Sequence, residues 1–177
     1  RHGHDVSSRV AEIYRMARDN RFQYYDYLPA ALPDADDLGL LLRLFRYSPH
    51  PDRHRAWLRE PLGWMARSIL PSGQIPVWFR PDPPPASGRE DGPAVLIWGN
   101  SCAATEINLL LGLLDYDPAA YREIIERSAL GLLERLDRTG LGASLYYQPP
   151  YTLWVALRLA FALNKPASKV GANRLKA

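Results

Sequence analysis

Two kinds of apolar pattern alternate along the chain. Over residues 7–19, Val10, Ile13, Tyr14 and Ala17 recur at helical spacing with Arg9, Glu12, Arg15 and Arg18 opposite, which predicts an amphipathic helix covering a core. Beyond the aromatic stretch Phe22-Gln23-Tyr24-Tyr25-Asp26-Tyr27, a second helix opens at Pro33-Asp34-Ala35-Asp36-Asp37 and runs through Leu38, Leu40, Leu41, Leu42, Leu44 and Phe45 to Tyr47. Its apolar residues fall on nearly every side, so it is expected to be buried. Residues 53–70 are amphipathic again: Trp57, Leu58, Leu62, Met65 and Ile69 face one way, and Pro61 is expected to kink or restart the helix. Ser101 suits the cap of an apolar helix over residues 102–114, whose interior polar residues beyond Thr105 are Glu106 and Asn108. Asp117-Pro118 then starts the clearest amphipathic pattern, with Tyr121, Ile124, Ile125, Ala129, Leu132, Leu133 and Leu136 on one stripe. The last helix runs from Tyr151 through Trp154, Leu157 and Phe161, with Arg158 its one charge.

The order is thus outer, inner, outer, inner, outer, inner. Helices that are apolar all round must be covered by those with a single stripe, so strict alternation predicts an all-α fold in two concentric layers. Three inner/outer pairs make half or an incomplete ring, which a second copy or a partner chain would complete. Between the third and fourth helices lies a Pro- and Gly-rich stretch, residues 71–100. Its flanks, Gln74-Ile75-Pro76-Val77-Trp78-Phe79 and Val95-Leu96-Ile97-Trp98, are apolar enough to pack, while 81–92 reads as a mobile excursion. The only lysines, Lys165, Lys169 and Lys176, set 164–177 apart as a basic tail without a fold of its own, leaving 1–163 as the helical domain.

Composition narrows the function classes. A formal charge of +3, with acids and bases interspersed, describes a solvated surface rather than a nucleic-acid groove. No apolar run is long enough for a transmembrane segment and no leader pattern opens the chain, so the expectation is a cytoplasmic protein. Cys102 is the single cysteine, which excludes an internal disulfide, and it reads as a small buried apolar residue.

The segment Pro33-Asp34-Ala35-Asp36-Asp37-Leu38-Gly39 resembles the D-x-D-D segment of squalene-hopene-type and class II diterpene cyclases, although Leu38-Gly39 stands where those enzymes continue with Thr-Ala. Leu70-Pro71-Ser72-Gly73-Gln74-Ile75-Pro76-Val77-Trp78-Phe79, Trp98-Gly99-Asn100-Ser101 and Tyr146-Tyr147-Gln148-Pro149-Pro150-Tyr151 are similar to the inter-helix loops of the same prenyltransferase and squalene-cyclase superfamily. The resemblance implies an α/α toroid and protonation-initiated cyclisation of a linear isoprenoid without a cofactor. It gives the role of acid to Asp36, with Asp34 and Asp37 as neighbours. A carboxyl crowded by other carboxylates in an apolar pocket has its pKa raised and can act as a general acid. The cation so formed needs aromatic faces, which Trp98, Tyr146, Tyr147, Tyr151 and Trp154 would supply.

Each of these residues also has a plainer reading. Acids in a first helical turn cap free N–H groups and meet the positive end of the dipole, which lowers rather than raises their pKa. Glu106 and Asn108 either face a polar cavity or bond to loop backbone. The tyrosines and tryptophans also suit core packing. Arg43 and Arg158 are expected to pair with acids such as Asp37 or Glu106, or to emerge at the opposite rim. A zinc site of the protein-prenyltransferase kind is disfavoured, because Asn100-Ser101-Cys102 lacks the acidic ligand and His2, His4, His50 and His54 lie elsewhere in the chain. Two further functions stay open: a non-catalytic toroid that binds an apolar ligand or a protein, and a carbohydrate-active α/α barrel with Asp36 and Glu106 as its carboxylate pair.

Overall fold

Of the helices whose apolar residues run all round, one lies at the centre of the fold. A computed structural model of the chain describes residues 5–20, 22, 33–79, 102–139 and 147–164. Among them are six α-helices: α1 (Val6–Asp19), α2 (Ala35–Leu44, continued by one 3-10 turn, Phe45–Tyr47), α3 (Pro51–Ser68), α4 (Ala103–Tyr116), α5 (Arg122–Thr139) and α6 (Pro149–Leu163). No described residue belongs to a β-strand; Asp34 and Trp78 form an isolated antiparallel bridge. The centre is α4, buried without a break from Ala104 to Leu113 and in contact with α2, α5 and α6. No helix among the described residues is long and apolar enough to cross a membrane.

Side-chain register fixes the directions. Asp36 meets Asn108, Gly39 lies against Asn108, Leu109 and Gly112, and Arg43 approaches Asp115 at 3.8 Å, so α2 and α4 run parallel. Helix α5 returns antiparallel, since Arg135 near its end is paired with Glu106 in the first turn of α4. Helix α3 also opposes α4. Arg55 in its first half lies 3.9 Å from Asp117, beyond the end of α4, and the segment after α3 brings the Ile75 N–H back to Glu106 Oε1 at 3.2 Å. Tyr14 stacks on His54 at 4.0 Å and the Arg18 guanidinium sits 4.9 Å over the Trp57 ring, which sets α1 parallel to α3. The amphipathic helices thus point one way and the apolar pair α2 and α4 the other, as the alternation requires.

At the α2–α4 crossing there is no room for side chains. A Cβ on Gly39 would stand 2.9 Å from the Asn108 carbonyl oxygen, and one on Gly112 only 2.6 Å from the Gly39 carbonyl oxygen. Glycine at both positions lets the two backbones touch, which brings the first turn of α2 within reach of the second turn of α4. That first turn is held from outside as well: the Ala35 N–H donates to Val77 O and the Phe79 N–H to Pro33 O, both at 2.8 Å. The segment from Ile75 to Phe79 is buried, as its apolar composition predicts.

Three expectations need correction. Helix α3 does not restart at Pro61: it is one helix from Pro51 to Ser68, with Pro61 buried alongside Leu58, Leu62 and Met65. The fourth helix begins at Ala103 with Cys102 as N-cap, and Cys102 is buried. Helix α6 is not enclosed: Thr152, Val155 and Leu159 face the core, but Leu153, Trp154, Leu157 and Phe161 are exposed. The excursion 81–92, Trp98, Tyr146 and the tail beyond Asn164 lie outside the described residues.

Candidate functional site

The three acids at the start of α2 have three separate surroundings. Asp34 is the N-cap: its Oδ1 accepts the Asp37 N–H at 2.8 Å, and the side chain is buried. Capping and the helix dipole favour its charged form, but burial and the neighbouring Asp37 charge outweigh them and push it up to about 8. Asp37, half-buried, is pushed up to about 6 by burial and by the Asp36 charge. Asp36 caps nothing and reaches across to two other segments. Its Oδ1 accepts from Asn108 Nδ2 at 2.8 Å, and its Oδ2 accepts from the Tyr147 hydroxyl in a close contact. Capping therefore explains Asp34 and leaves Asp36 engaged elsewhere.

Asn108 is the hub, and its placement follows from α4. A buried amide in an apolar helix is costly unless its groups are bonded. Here Nδ2 donates to both Asp36 and the Tyr151 oxygen (3.1 Å), while Oδ1 accepts from the Tyr151 hydroxyl (3.3 Å). Since a hydroxyl both donates and accepts, one Tyr151–Asn108 bond is made at a time. The Tyr147 and Tyr151 rings stack at 4.6 Å, with Trp154 at 5.7 Å from Tyr151. Burial and the Asp36 carboxylate raise the Tyr147 pKa, so the phenol stays protonated and a donor. Together these groups line a partly open cleft of about 220 Å³ bounded by Asp36, Asp37, Leu40, Arg43, Asn108, Tyr147 and Tyr151.

Other expected site residues lie elsewhere. Glu106 is two positions from Asn108, so the helix turns it about 200° away. It is buried, paired with Arg135, and accepts the Ile75 N–H. Burial raises its pKa against the opposing pull of Arg135. Glu106 thus clamps the segment that holds the start of α2 and does not join Asp36 as a carboxylate pair. Trp154 is half-exposed with the Arg158 guanidinium 4.9 Å over its ring, so that face already carries a cation. Arg43 approaches Asp115 rather than Asp37 or Glu106, and Arg158 takes an aromatic partner in place of an acid. Leu40 and Arg43 are additions to the site. They stand four and seven positions after Asp36, on the same helix face, a spacing that was present in the sequence.

Among the described residues no group of three or more His, Cys, Asp or Glu side chains is placed to hold a metal ion. Comparison with protein-family models, curated proteins and solved structures gives no match to this chain.

Proposed function

We propose that the chain is a class II terpene-cyclase-like enzyme, in which Asp36 protonates a linear isoprenoid and the cleft guides its cyclisation. The observation that carries this reading is the Asp36 carboxyl, aimed away from its own helix amides and held by Asn108 and Tyr147 from segments distant in the chain. In the same reading the opposed directions of the amphipathic helices and of α2 and α4 are those of half an α/α toroid, whose inner helices would carry the site at one rim.

The chemistry follows from the contacts. Protonated Asp36 gives its proton to a terminal alkene carbon; the π pair forms the new C–H bond and the adjacent carbon becomes a tertiary cation. The carboxylate left behind takes up the Asn108 N–H and the Tyr147 O–H, and both bonds strengthen as negative charge develops. Interactions that are stronger in the transition state than in the ground state lower the barrier. Asp34, raised to about 8, holds its proton at neutral pH, so one of the three neighbouring carboxyls adds no charge to the cluster at the start of the reaction. The π faces of Tyr147 and Tyr151 then lie beside the cation, attracting it without bonding to it. Further alkenes close the ring, and loss of a proton to a base ends the sequence. The open side of the cleft leaves room for the rest of the chain.

The test is to incubate the protein with linear C15 to C30 isoprenoids in deuterated water. A cyclic product carrying one deuterium at the carbon that was protonated is expected. Absence of turnover across the series, or a cyclic product without the label, would overturn the proposal.

A further inference from the structure

Helix α6 is apolar on both of its sides, but the described residues cover only one. Thr152, Val155 and Leu159 are buried against the rest of the protein. On the opposite side Leu153, Trp154, Leu157 and Phe161 are 47%, 50%, 51% and 72% exposed. At 100° per residue these four fall within an arc of about 100°, the width of stripe by which a helix ordinarily covers a core. Leu157 stands near the middle of the arc, and Ala160, just outside its edge, is exposed too. The one charge on the helix, Arg158, lies to the side and is folded over the Trp154 ring. The strip itself therefore carries no charge to repel an identical strip.

We propose that this face is the interface of a homodimer in which α6 packs antiparallel on α6 of a second copy about a two-fold axis through Leu157. The symmetry follows from the pattern. Leu153 and Phe161 are each four positions from Leu157, so an antiparallel pairing centred there sets Leu153 of one copy against Phe161 of the other, twice, and Leu157 against itself. A face that fills its own complement in this way meets the condition for an isologous contact. Covering these four side chains on both copies removes on the order of 1,000 Å² of surface, about the minimum for a specific interface. The association is accordingly weak, with dissociation at micromolar protein concentration. A strip of this length is also beyond the singly scattered apolar residues normal on a monomer.

The two-fold axis makes the test specific. Sedimentation velocity of the 177-residue chain over about 1–100 μM should show a concentration-dependent dimer. Leu157→Glu and Leu157→Lys each set like charges against one another at the axis, and each should weaken dimerisation at least about tenfold. Because Leu157 is half-exposed, both variants should keep the wild-type helical circular dichroism. Mixing the two variants in equal amounts should restore the dimer, since a carboxylate and an ammonium then face each other across the axis. A wild-type chain that stays monomeric at about 100 μM would overturn the proposal, as would a dimer unaffected by either substitution or a mixture that fails to recover. Co-sedimentation of the monomer with phosphatidylcholine and phosphatidylglycerol vesicles, abolished by Leu157→Glu, would reassign the strip to a lipid surface and equally overturn it.

Discussion

Replacing Gly112 by alanine tests the contact on which the site is built. The added Cβ would stand 2.6 Å from the Gly39 carbonyl oxygen, 3.0 Å from its Cα and 3.2 Å from its carbonyl carbon. All three are backbone atoms of α2, so no flexible side chain can swing aside and the two helices must part. Overpacking of this kind costs about 1–3 kcal/mol. Alanine in place of glycine inside a helix returns roughly 0.5–1 kcal/mol through the unfolded state. The net expectation is a loss of about 1–2 kcal/mol. Equilibrium urea unfolding followed by circular dichroism reads it as a lower midpoint with an unchanged slope. Gly63→Ala in α3 is the control, since its added Cβ meets only the tip of the Arg67 side chain, at 3.3 Å. That variant should be neutral or more stable by up to about 1 kcal/mol. If Gly112→Ala proved as benign as Gly63→Ala, the backbone contact between α2 and α4 would be refuted, and with it the placement of Asp36 beside Asn108.

Other consequences follow from the same contacts. The Asp34 carboxyl, raised from 3.8 to about 8, keeps a proton in the folded protein that the unfolded chain has lost, so its contribution to stability falls as pH rises across that window. Asp34→Asn keeps the cap and removes the titration: the urea midpoint should fall from about pH 5 to about pH 9 in the wild type and fall less in the variant, and equal slopes would contradict the assignment. His54, buried with its pKa lowered by that burial and by His50 and Arg53, has the opposite sign. The folded state resists its protonation, so its contribution is full above about pH 6.5 and declines below it. A His54→Gln variant whose acid limb of stability matches the wild type would count against that. Glu106→Ala removes the carboxylate paired with the partly buried Arg135 and the acceptor of the Ile75 N–H, and should cost about 3 kcal/mol in urea unfolding. If the site works as proposed, Tyr147→Phe keeps the ring stack, removes one donor to Asp36, and should reduce turnover about 10- to 100-fold with an unchanged unfolding midpoint.

Much of the fold is legible in the periodicity of the sequence, and the places where periodicity misleads have physical causes. Uninterrupted burial of α4 follows from its apolar residues, and the packed segment from Ile75 to Phe79 from its composition. Pattern alone cannot separate a helix that is enclosed from one whose second apolar face stays open, because both read as apolar all round; α6 is the second kind. Two polar residues in the greasy helix, Glu106 and Asn108, looked equivalent in the sequence. Their two-position separation sends them to opposite sides, one to a clamp and one to the cleft, and which is which depends on where α2 and α5 lie. Gly39 appears in the sequence as a departure from a motif. Its role emerges only beside Gly112, a pairing between positions far apart in the chain. Arg135, on an amphipathic helix, gave no sign that it would turn inward to Glu106.

The central claim is that Asp36 is an acid and not a helix cap, and Asp36→Asn tests it most directly when turnover and unfolding are measured on the same preparation. An amide keeps the size of the side chain but cannot give up a catalytic proton. Wild-type protein should cyclise a linear isoprenoid, and the variant should lose that activity while giving up no more than about 0.5–1.5 kcal/mol of stability, the worth of the one hydrogen bond to Asp36 that an amide cannot accept. A variant that retained turnover, or one whose loss of activity merely tracked a loss of fold, would contradict the account.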